Sequence, residues 1–71
     1  MQNIAARIEE LACEGFSEGE TLTILERAEI VAFTFHFEEC DDSREVLASL
    51  SDKDLIDKSY RVMAEYASGQ I

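Results

Sequence analysis

The chain contains no proline and no tryptophan, and only three glycines and two cysteines occur in its 71 residues. Cys13 and Cys40 are too few and too far apart for the four or more cysteines of a disulfide-stapled secreted domain. Met1-Gln2-Asn3 is followed by no basic, then apolar, leader. Both thiols are therefore expected to be reduced in a cytoplasmic protein. No apolar run reaches the ~20 residues of a membrane span. Basic residues are scarce: six against sixteen acidic ones, a net charge of -10. Such a surface excludes direct binding to nucleic acid, whose phosphates need Lys and Arg clusters. Histidine occurs once, as His36, so a nucleophilic cysteine has a single available base. Phosphate-binding loops, GxSxG elbows and HExxH helices are all missing. The chain is short enough to be one domain, 1–71, burying about 60% of its unfolded surface. That leaves little room for an enclosed active site, and no enzyme is expected.

The apolar residues that are present fall mostly at helical spacing. Asn3 is a favoured N-cap, Ile4, Ile8, Leu11 and Ala12 share a face, and Gly15 is a natural terminator, which predicts a helix over 4–14. Ser17 and Glu20 fit a capping box, with Phe16 placed to staple onto Leu22. Between Leu22 and Cys40 no turn residue intervenes. Leu22, Ile24, Leu25, Ala28, Ile30, Val31, Ala32, Phe33, Phe35 and Phe37 cover most of a helix circumference. The alternation of Phe33, Phe35 and Phe37 with Thr34 and His36 also suits a strand near 30–37. A lone strand without a partner leaves its hydrogen bonds unmade, so the helix is preferred. Asp41-Asp42-Ser43 breaks the pattern, and Asp42 with Glu45 caps a short helix over 43–50. Ser51 and Asp54 repeat the signal for a last helix over 52–67, with Asp54–Lys58 and Asp57–Arg61 as i,i+4 ion pairs. The expected fold is all-α, a bundle of three to four helices, with an α+β arrangement as the lesser alternative.

Charge is unevenly distributed. Residues 1–43 hold eleven acids and two bases, Arg7 and Arg27, whereas residues 44–71 hold five acids and four bases. Unpaired like charge works against a compact fold, and it also steers oppositely charged partners. The acids expected to meet a basic partner are Glu9, Glu10, Glu14, Glu18 and Glu20, near the first interhelical turn. Glu38, Glu39, Asp41 and Asp42 form the second group, at the far end of helix 2.

Two small constellations remain. His36 and Cys40 are i,i+4, a usable metal-ligand spacing, but a closed zinc site wants four ligands and no metal is expected. Glu38 to Asp42 lacks the alternation and the glycine of a calcium loop. Asp42-Ser43 at a helix start in a small acidic helical chain resembles the Asp-Ser-Leu turn of acyl carrier proteins, whose serine carries phosphopantetheine. The resemblance implies a carrier modified at Ser43. It covers two residues, and Arg44 stands where that family has leucine.

These features predict a small acidic protein-binding module without a cofactor, an inhibitor or regulator of the kind found among phage proteins. Its basic partner surface could be a nucleic-acid-binding one. The alternative is a homodimeric adaptor. Phe33, Phe35 and Phe37 cannot all face one small core, so Ile30, Phe33, Phe35 and Phe37 are its candidate interface.

Overall fold

Asn3 and Gly15 bracket the first helix in the computed structural model, which describes residues 3–69. The Asn3 side chain accepts from the Ala6 N–H at 3.2 Å, opening α1 (Ile4–Glu14). Gly15 closes it at φ 80, ψ 178, a region essentially reserved for glycine, and donates its N–H to Leu11 O. Three helices follow: α2 (Ile24–Phe35), α3 (Arg44–Ser49) and α4 (Asp52–Gly69). No strand occurs among the described residues, so the stretch 30–37 is helix followed by turn. The long α4 packs on α1 and α2, and α2 also packs on α1 and α3.

The second helix differs from expectation at both ends. The Ser17 N–H does reach Glu20 Oε1, at 3.3 Å, but these residues close a turn, with Gly19 at φ +80. The working capping box is Thr23 with Glu26: Thr23 Oγ1 accepts from Glu26 N–H and Glu26 Oε1 accepts from Thr23 N–H. At the other end α2 stops at Phe35, and single-turn hydrogen bonds carry the chain through His36 and Phe37 to Cys40. Continuing the helix would set Glu38, Glu39, Asp41 and Asp42 against the negative end of its dipole. With 12 residues, α2 spans about 18 Å, shorter than an unbroken helix from Leu22 to Cys40 would be. Ser43, and not Asp42, caps α3, accepting from Val46 N–H at 3.3 Å. Lys58 pairs with Asp42 at 3.4 Å instead of Asp54, which ties the 36–43 turn down onto α4.

The core is built from Ile8, Leu11, Leu22, Ile30, Leu47, Leu55 and Ile56, one or two from each element. Each such side chain contributes about 1.5–3 kcal/mol when fully buried. Ile30 is 0% exposed, enclosed by the chain's own core, and so cannot lie at an interface between copies. Thr34 and Ser59, both buried, satisfy each other through a 2.7 Å hydroxyl pair that fixes the register of α2 on α4.

Arg27 joins three elements. Its guanidinium donates to Asp52 Oδ1, to Ala48 O at 2.9 Å and to Leu50 O at 2.6 Å. These carbonyls are the unsatisfied C-terminal end of α3, and Asp52 opens α4. Asp52 Oδ2 also accepts from Leu22 N–H at 2.9 Å. That bond chiefly, with Arg27, holds the Asp52 carboxyl below its ordinary pKa. Glu26 is likewise lowered, first by its bond to the Thr23 backbone and then by Arg7.

Two outcomes are expected. Arg27→Lys loses the fork geometry that serves three acceptors and should cost about 1–3 kcal/mol in urea unfolding, against less than about 0.5 kcal/mol for Arg44→Lys. Asp52 has a depressed folded pKa, so its contribution is present above its ordinary value of 3.8 and is lost as pH falls below it. The stability advantage of the native chain over Asp52→Asn should therefore shrink in denaturant titrations below that pH. An advantage that persists undiminished in acid would contradict the role given to the ionised carboxylate.

Candidate functional site

The outer face of α1 carries Ala6, Glu9, Glu10, Cys13 and Glu14 around a shallow depression. Tyr60 of α4 stands beside it, its hydroxyl pushed above the usual range chiefly by the neighbouring Cys13 thiol, with a smaller effect from Glu9. Part of the expected acidity is neutralised within the fold. Arg7 lies 3.7 Å from Glu10, 3.6 Å from Glu20 and 3.3 Å from Glu26, and Asp42 is paired with Lys58. Among the described residues no cation stands within ion-pair distance of Glu9, Glu14, Glu18, Glu38, Glu39 or Asp41.

Glu38 and Glu39 are where charge meets shape. The turn after α2 folds Phe37 back so that its ring lies edge-on to Phe33 (5.2 Å between centroids, 78° between planes). On its other side it lies 5.1 Å from Tyr66 of α4, at 67°. These three rings, with His36, Glu38 and Glu39, line an open cavity of about 450 Å³. The ring faces are electron-rich and the two carboxylates share the same lining, so the cavity suits a cationic, partly apolar group. Sequence reasoning found Glu38 and Glu39 but assigned Phe33 and Phe37 to a dimer interface and missed Tyr66. The only signal for Tyr66 was an aromatic at the last turn of the α4 apolar face.

The remaining expected residues are placed as follows. Asp41 is exposed in the turn and Asp42 half-buried. Cys40 packs against the core and its thiol donates to Asp42 O at 3.6 Å. His36 is the exposed C-cap of α2 and Cys40 lies beyond the helix, so the i,i+4 spacing does not set them on one helical face. No three metal-ligating side chains come together among the described residues. Ser43 is exposed, with its hydroxyl engaged in capping α3.

The outer side of α2 is apolar. Ile24 is 90% exposed, Leu25 69% and Phe35 44%. Ala28, Val31 and Ala32 form one wall of a groove whose other wall is Arg44 and Ala48 of α3, with Arg27 at one end. The Arg44 guanidinium sits 5.0 Å over the Phe35 ring. The periodicity showed helix 2 to be apolar around most of its circumference; which side turned inward depended on neighbours.

Comparison with protein families, with curated proteins and with solved structures finds no match to this chain.

Proposed function

We propose that this protein is a small acidic binding module that regulates a partner by occupying its basic surface, with no catalytic chemistry of its own. The observation that carries the reading is the cavity formed by Phe33, Phe37 and Tyr66 with Glu38 and Glu39. An arginine or lysine side chain entering it would lay its aliphatic stem on the rings and its charge against the carboxylates. Arginine is the better fit, because its planar guanidinium both stacks and forks. Glu9, Glu14 and Glu18, which no cation pairs among the described residues, extend the negative field and speed encounter more than they add affinity. A basic surface that otherwise contacts nucleic-acid phosphate offers side chains of this kind, so blocking such a surface is the regulatory act proposed.

The test is a titration of the protein with a short arginine-rich peptide, followed by nuclear magnetic resonance and calorimetry. The peptide should bind saturably, shift the ring signals of Phe33, Phe37 and Tyr66, and weaken steeply as salt rises. A Glu38→Gln/Glu39→Gln double variant should lose about tenfold in affinity, since a charge-assisted contact of this kind carries roughly 1.4 kcal/mol or more. An Asp54→Asn/Asp57→Asn variant, altered elsewhere on the acidic surface, should lose less than about twofold. Equal losses from the two variants, or no movement of the three rings, would remove the cavity from the proposal and leave the acidity as solubility.

A further inference from the structure

We infer that His36 is a proton switch on the aromatic–acidic cavity: with its imidazole neutral the cavity admits an arginine side chain of the partner, and with the imidazole protonated the cavity turns one away. This deepens the basic-partner reading and rests on it, adding the regulation of that same site.

The lining of the cavity carries the inference. Phe33 and His36 come from the end of α2, Phe37, Glu38 and Glu39 from the turn, and Tyr66 from α4. His36 caps α2 with its side chain exposed, and its backbone N–H donates to Phe33 O at 3.3 Å. The turn that follows is pinned from two sides. The Phe37 ring sits between Phe33 and Tyr66, and Asp42 pairs with Lys58 of α4 at 3.4 Å. The imidazole therefore shares one wall with both carboxylates. A protonated imidazole there meets the same groups that a guanidinium would: the Glu38 and Glu39 carboxylates, the ring faces and the carbonyl end of α2. The two cations compete for these groups and repel each other. Two unit charges about 6 Å apart near a protein surface repel enough to weaken binding roughly three- to tenfold.

The direction of the response follows from the groups that face His36. Glu38 and Glu39 are the titratable groups of the turn in this lining, Tyr66 is the one that α4 contributes, and no lysine or arginine lines the cavity. Carboxylates ordinarily change charge near pH ~4 and phenols near pH ~10. Imidazole does so between about pH 5 and pH 8. The arginine of a ligand keeps its charge throughout. Within that window the imidazole is the group that alters the cavity. The partner binds its neutral form, so full affinity is present above the imidazole's range and is lost as pH falls through it. His36 is the only histidine in the chain, so one position accounts for the response.

The test is calorimetric titration of the full chain with a histidine-free, arginine-rich peptide, at constant ionic strength, at about pH 7.5 and about pH 5.5. The native chain should bind about fivefold more weakly at the lower pH. His36→Gln, neutral at both, should weaken by less than about twofold. His36→Lys, with a fixed charge, should bind at the higher pH as weakly as the native chain does at the lower one. Circular dichroism at both pH values should show unchanged helix content in all three proteins. Linkage is reciprocal, so the His36 ring signals in nuclear magnetic resonance should change at a lower pH with the peptide bound than without it. Equal pH dependence in the native chain and His36→Gln, with saturable binding at the higher pH, would overturn the switch and leave the cavity reading standing. No saturable binding at the higher pH would overturn both.

Discussion

One guanidinium holds the corner on which the fold turns. Arg27 reaches from the first turn of α2 to the carbonyl end of α3 and the first residue of α4, and Asp52 returns the contact by holding Leu22 N–H as well as Arg27. A six-residue helix such as α3 has almost no stability alone, because nucleation is costly and few bonds repay it. Its place depends on Leu47 in the core and on Arg27 at its end. With α3 fixed, the wall formed by Arg44 and Ala48 stands beside α2 and the outer groove exists. With the chain held from Leu22 to Asp52, α2 presents a fixed side to the core through Ile30 and Thr34.

The acidity acts differently at different depths. Arg7 draws Glu10, Glu20 and Glu26 toward itself, and Lys58 takes Asp42, so part of the excess negative charge is spent inside on joining the α1–α2 connection and the 36–43 turn to the bundle. These partly exposed pairs stabilise only modestly, but they decide where the connections lie. Of the acids that no cation pairs among the described residues, Glu9 and Glu14 lie on α1, and Glu38 and Glu39 lie in the turn after α2. Only the second of these groups is shaped by aromatic rings into a concavity, which is why the proposed recognition is assigned there and the α1 face is given a steering role.

Helices announced by local chemistry were legible in the sequence. Asn3 and Gly15 gave the bounds of α1, and Ser51 with Asp54 gave the start of α4, because capping and left-handed termination need only neighbouring residues. The start of α2 was ambiguous because two frames, Ser17 with Glu20 and Thr23 with Glu26, satisfy the same rule. The first contains Gly19 inside what would be the opening turn, and burial of Leu22 with its N–H on Asp52 decides for the second, a contact 30 residues distant. The inward side of α2 was equally illegible. Ile30 and Phe35 are both large and apolar, and only the placement of α4 and α1 makes the first core and the second surface. The candidate cavity was half readable: its carboxylates stood out as a run, whereas Tyr66 joined them by tertiary packing alone.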